Sequence, residues 1–122
     1  MPKRPRSLRL RLEHVLKGIA RIERATAGRT ADDYLADEDL RDIVERNVAR
    51  IAEAARFIPA EVRAGHPAIP WRLVVGIGNV IRHDYDEIDD RVMWDTATTK
   101  LVPLRAAVEA MLRGEAGDDE PN

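Results

Sequence analysis

The stretch LRLRLEHVLKGIARIERAT, residues 8–26, decides the fold class. Its apolar residues Leu8, Leu12, Val15, Leu16, Ile19 and Ile22 recur at helical spacing, with Arg9, Arg11, Lys17, Arg21 and Arg24 between them. That pattern predicts an amphipathic helix over about residues 7–26. Gly28 is placed to end it. Working outward, Thr30, Asp32 and Asp33 offer N-cap chemistry. A second apolar face follows through Tyr34, Leu35, Leu40, Ile43, Val44, Val48, Ile51, Ala54, Ala55 and Ile58, with a break expected at Ala36-Asp37. Pro59 suits the start of a short helix that Gly65 closes, and Pro70 suits the start of another. That next helix, WRLVVGIGNVIRH at residues 71–83, carries Gly76 and Gly78 in its middle, where each glycine costs about 1 kcal/mol relative to alanine. Two glycines one residue apart are equally consistent with close approach of another backbone and with simple tolerance. Asp84 to Asp90 reads as an acidic loop, and a last helix runs from about Asp90 past Trp94, Leu104 and Met111 with Pro103 as a kink or break inside it.

Composition agrees. Only 4% of the 122 residues are aromatic, while 44% are hydrophobic and 34% charged, so the chain should fold, and fold as an all-α protein. Its length suits one domain, residues 1–113, an up-and-down bundle of four to five helices, with residues 114–122 as a polar, disordered tail. No apolar run reaches the roughly 18 residues of a membrane span, and no signal-peptide pattern opens the chain, so a cytoplasmic protein without membrane contact is expected. There is no cysteine, which removes disulfides, thiolate metal sites and a cysteine nucleophile, and only 3 histidines are present. No metal or other cofactor is expected.

Chemistry concentrates at the end of the fourth expected helix, where His83 and Tyr85 flank Asp84. A histidine with an ordinary pKa of about 6.5 exchanges protons near neutrality, as acid–base catalysis on a phosphodiester requires. On its own, the pair reads first as a histidine capping helix carbonyls and a tyrosine closing a turn. Asn79, one turn before His83, is placed to orient the imidazole or hold a phosphate, and equally to serve as an ordinary polar helix position.

The longer stretch IPWRLVVGIGNVIRHDYDEIDDRVMW, residues 69–94, resembles the segment that marks the HepT-type toxins of the HEPN superfamily: Ile-Pro-Trp, a helix, His-X-Tyr and an acidic Ile-Asp turn. Residues 9–23, 32–59 and the Leu-Val-Pro-Leu at 101–104 are similar to the rest of the family layout. The resemblance implies a helical bundle that dimerises through its motif helices. It also implies a metal-independent ribonuclease in which the motif acts on an RNA phosphodiester, tRNA being one such substrate, with the ribose 2′-hydroxyl as attacking group. The implied partner is a minimal nucleotidyltransferase antitoxin that silences the toxin by transferring AMP to the motif tyrosine, here Tyr85.

One departure stands at the centre of the motif. The family pattern has Arg before Asn, and this chain has Gly78 before Asn79. A guanidinium binds phosphate oxygens bidentately and stabilises transition-state charge, and losing such a group typically costs about 10²- to 10³-fold in rate. Either Arg82, four residues on and on the same helix face, takes over the clamp, or the chain is a weakened or inactive form. The alternative function is therefore a non-catalytic helical adaptor that binds a nucleotidyltransferase partner or a nucleotide. The formal net charge of −2 conceals an asymmetry: residues 1–29 hold nine Lys and Arg against Glu13 and Glu23. An arginine-rich first helix is suited to a phosphate backbone, and equally to solvent.

Overall fold

The computed structural model describes the backbone of residues 4–83 and 88–119. Among these residues the chain is helical without strands: α1 (Arg4–Thr26), α2 (Ala31–Ala36), α3 (Glu38–Arg56), α4 (Ala60–Ala64), α5 (Trp71–His83), α6 (Asp90–Asp95), a π-helical segment (Thr96–Lys100) and α7 (Leu101–Asp119). The four long helices α1, α3, α5 and α7 form the bundle; α1 and α3 pack at its centre, α5 packs on α3, and α7 packs on α1.

The stripe read from the sequence is the stripe that is buried. Leu8, Leu12, Val15, Ile19 and Ile22 of α1 join Val44, Val48, Ile51, Ala55 and Ile58 from α3 and its C-terminus, and Leu104, Val108 and Met111 of α7, in one core. α1 and α3 run antiparallel, because Arg11 of α1 meets Phe57 at the end of α3, while Gly18 meets Ile51 nearer its middle. Gly18 sets their approach. A Cβ built there would lie 2.7 Å from Ile51 Cγ1 and 3.5 Å from the Asn47 carbonyl, so only glycine fits without displacement.

Local chemistry sets the boundaries of α1, α2 and α3 where the sequence says it should. Gly28 takes φ +73° after α1, a conformation that costs glycine nothing. Thr30 and Asp33 form a capping box on α2: the Asp33 amide donates to Thr30 Oγ1 at 3.1 Å, and the Thr30 amide donates to Asp33 Oδ2 at 2.9 Å. Asp37 supplies the break expected at Ala36-Asp37 and caps α3 by accepting from the Leu40 amide at 3.0 Å.

Two expectations change. The helix that begins at Asp90 is interrupted, as expected, but not at Pro103 itself. The irregularity lies ahead of it, in residues 96–100, and Pro103 sits in the first turn of α7. Proline crowds the carbonyl four residues back, here Thr99, and widening the preceding turn lets the chain stay helical: the Leu101 amide reaches the Thr96 carbonyl instead. The chain past Gly114, expected as a disordered tail, continues α7 as far as Asp119. Its Glu115 and Ala116 favour helix, and the helix is already nucleated by the packed turns before it.

Candidate active site

The candidate residues lie on or just beyond α5. Ile69-Pro70 leads into it, and Pro70 accepts from the Leu73 and Val74 amides at 2.9 and 3.0 Å, opening the first turn. Trp71 anchors this end. Its indole Nε1 donates to the Arg63 carbonyl at 3.0 Å and the His66 carbonyl at 3.1 Å, tying α5 to α4 and the connector, while the ring packs on the core. Val74, Val75, Ile77 and Ile81 lie half-buried against the core. On the opposite side Leu73 is 70% exposed and Val80 42% exposed, an apolar surface without a covering element among the described residues.

Gly78 is buried and Asn79, the next residue, is exposed, as follows from the 100° that separates neighbours on an α-helix. The helix continues without interruption to His83. Position 82 therefore lies one turn beyond Gly78, and position 83 one turn beyond Asn79 and two beyond Gly76. The expected pairing of positions along the helix is thus present as backbone register; for Arg82 and His83 the description stops at the backbone, and Tyr85 lies outside the described residues. A Cβ at Gly76 would meet nothing within 4 Å among the described residues, so packing against them does not demand a glycine there.

The acidic side of the motif returns to the bundle at α6. Asp89 caps this helix, its Oδ1 accepting from the Arg91 and Val92 amides at 2.9 and 3.3 Å. Asp90 lies 3.8 Å from Nε of Arg41 on α3, and the same guanidinium donates to the Tyr34 and Leu35 carbonyls at the end of α2. Beneath it lies a polar cluster that the sequence did not reveal. Tyr34 is fully buried, its ring 5.5 Å from that of Trp94, and its hydroxyl has no hydrogen-bond partner among the described residues. Burial, then the charges of Glu45 and Asp90, push the Tyr34 hydroxyl well above the usual phenol range. Glu45 of α3 is also buried, and burial, with Asp90 and Asp42 nearby, raises its carboxyl above the ordinary 4.5. In the sequence Tyr34 belongs to the second apolar face, and Glu45 is a polar residue directly beside Val44 of that face.

Glu53 is paired locally with Arg56 at 3.8 Å. No group of three or more His, Asp or Glu side chains able to hold a metal occurs among the described residues. A depression of about 510 Å³ at the α2–α3 junction is lined by Arg29, Asp33, Asp37, Glu38 and Asp39, and of these Asp33 and Asp37 serve as helix caps. No described helix is long and apolar enough to cross a membrane.

A family profile described as "Ribonuclease HepT-like" matches residues 15–111, which takes in the α1 stripe from Val15 onward, all of α5 and the first part of α7. The chain belongs to the HepT-like ribonuclease family. Its HepT-like relatives include the probable ribonuclease HepT of Thermococcus cleftensis, 31% identical over 100 residues that span 82% of this chain and 91% of the relative. A candidate RNase of Caldanaerobacter subterraneus subsp. tengcongensis is 27% identical over 104 residues, spanning 85% and 93% respectively. A candidate RNase of Methanocaldococcus jannaschii is 26% identical over 120 residues, with 98% of both chains aligned. No solved structure matches the chain. The HepT-like assignment and the helical bundle agree with the resemblance read from residues 69–94.

Proposed function

We propose that this chain is the RNA-cleaving toxin of a toxin–antitoxin pair, acting in the cytoplasm as a homodimer that needs no metal. The observation that carries the reading is the outward face of α5, where exposed Leu73 and Val80 flank Asn79 within the segment matched by the ribonuclease family. A second copy packed on this face would bring two sets of positions 79 and 83 to one cleft.

In that cleft His83 takes the proton from a ribose 2′-hydroxyl. The 2′-oxygen forms a bond to phosphorus, the bond to the 5′-oxygen breaks, and the proton returns to the leaving oxygen, giving a cyclic phosphate. Asn79 orients the imidazole or a phosphate oxygen. Arg82 supplies the guanidinium missing at Gly78, whose lack of a side chain leaves room for a long arm from the following turn. Tyr85 is the acceptor of AMP from a minimal nucleotidyltransferase antitoxin. RNA degradation in EDTA by the purified chain, abolished in His83→Ala, is the expected result; equal inertness of both proteins sinks the enzymatic reading. Arg82→Ala should lower the rate about 10²- to 10³-fold if it is the clamp. Co-production with the antitoxin should add one AMP by intact mass, and Tyr85→Phe should remove that addition.

Gly78 favours one second reading. Without a guanidinium at this position the chain serves as a helical adaptor holding the nucleotidyltransferase or a nucleotide. His83→Ala would then leave partner binding intact, and no RNA cleavage would be seen with either protein.

A further inference from the structure

We propose that the solvent face of the α1–α3 pair is a track for the phosphate backbone of RNA, leading the strand along α3 toward α5. The inference rests on the RNA-cleavage reading for its destination, though not for its test. The Arg11–Phe57 and Gly18–Ile51 contacts fix the antiparallel register, and this places Lys17 level with Arg50 and Arg21 level with Arg46. On α3, the exposed Ile43, Arg46, Arg50 and Phe57 fall at spacings of three, four and seven, hence on one face. Arg46 and Arg50 are separated by one turn, about 6 Å along the axis. On α1, Lys17 and Arg24 are exposed and Arg21 half-exposed, on the side turned away from the buried stripe. Two cationic rows therefore run side by side.

These charges differ from four other cations of the chain in what faces them. Arg29, Arg41, Lys100 and Arg105 are each paired with an acid, Asp37, Asp90, Asp95 and Glu23 respectively. Among the described residues, no acid lies in ion-pair distance of Lys17, Arg21, Arg46 or Arg50. Glu53, three residues after Arg50 on α3, lies 3.8 Å from Arg56. At one end of the face, Phe57 is 46% exposed and holds the Arg11 guanidinium 4.1 Å and the Arg56 guanidinium 5.2 Å from its ring centre. A guanidinium already stacked loses less freedom when it meets a phosphate.

A polyanion of repeating charge fits this surface better than a membrane. The exposed apolar residues are Leu10 and Phe57 at one end of the face and Ile43 at the other, too few and too divided to form one membrane-inserting patch. Continuity with the candidate site is structural, since α3 packs on α1 by one side and on α5 by another.

The test is fluorescence anisotropy of a labelled stem-loop RNA with the full chain, between about 50 and 200 mM salt. Two double variants, Lys17→Glu with Arg21→Glu and Arg46→Glu with Arg50→Glu, are compared with Lys100→Glu plus Arg105→Glu, which changes net charge equally off the track. Each track variant should weaken binding at least about tenfold at low salt and flatten the log–log salt slope by about 1 to 2, with the control within about threefold of wild type. Equal losses in track and control variants, or an unchanged slope, overturn the track. So does binding confined to anionic phosphatidylglycerol vesicles, with none to RNA. A chain that cleaves RNA in EDTA but binds it equally well after charge reversal loses the track and keeps the nuclease reading. A chain that binds through these residues without cleaving keeps the track and loses the nuclease.

Discussion

Glycine occupies the middle of α1 at position 18 and the middle of α5 at position 76, and the two positions have opposite surroundings. At Gly18 the space for a methyl group is already filled by Ile51, whereas a methyl group at Gly76 would meet nothing within 4 Å among the described residues outside its own helix turn. The α1–α3 seam is a closed interface in which nearly every apolar side chain is buried, whereas α5 is finished on one side only. Stability is concentrated in the first region and the candidate chemistry in the second. A helix with a rigid support and an uncovered face can present a motif to a partner without compromising the core beneath it.

The largest expected contrast tests that division directly. Leu12→Ala or Ile22→Ala, both in the closed seam, should lower unfolding free energy by about 2–5 kcal/mol in urea titrations. Leu73→Ala should change monomer stability by less than about 0.5 kcal/mol. If Leu73→Ala is as costly as Leu12→Ala, α5 is not the open side of the fold.

Next come the glycines. Gly18→Val should cost about 1–3 kcal/mol through overpacking against Ile51. Gly76→Ala should stabilise the isolated chain by up to about 1 kcal/mol, because it gains helix propensity without a clash. Loss of RNA cleavage in a stabilised Gly76→Ala protein would identify that position as a place of close approach between copies.

The carboxylates give opposite pH dependences. Asp37 is held below its ordinary 3.8, first by the Leu40 amide and further by Arg29, so its contribution is present above that value and is lost as pH falls through the lowered pKa. Glu45 is raised, so protonated Glu45 favours the fold; its contribution is present below about 4.5 and lost as pH rises. Glu45→Gln should therefore be more stable than wild type at pH 7, and the advantage should disappear in acid. A difference independent of pH would count against the buried cluster as its cause.

The smallest effect belongs to Arg105, whose guanidinium bridges α7 to Glu23 of α1 at 2.6 and 2.7 Å on the exposed surface. Arg105→Ala should cost no more than about 1 kcal/mol and less in high salt.

Helix positions were legible wherever the information is local. The α1 stripe, the Gly28 stop, the Asp37 break and the Pro70 start each depend on residues within a turn or two. The position of the irregularity before α7 was not, because Pro103 only requires that the carbonyl behind it be freed, and a widened turn achieves this as well as a kink does. The Tyr34–Glu45–Asp90 cluster was also invisible, since it joins three separate helices and only tertiary packing decides that a polar position on α3 is buried. For the site, helix geometry alone gave the register of Gly78, Asn79, Arg82 and His83; which side of α5 meets the bundle came from the burial of Gly78 beside exposed Asn79.

The close contact at Gly18 also bears on how this sequence can vary. A methyl group at position 18 and the full side chain at position 51 exclude one another, so each residue constrains substitution at the other. Among relatives, a larger residue at the position of Gly18 should be accompanied by a smaller one at the position of Ile51. In the laboratory, Gly18→Ala should cost less in an Ile51→Ala background, which removes the Cγ1 and Cδ1 atoms that the new Cβ would meet, than in the wild-type chain.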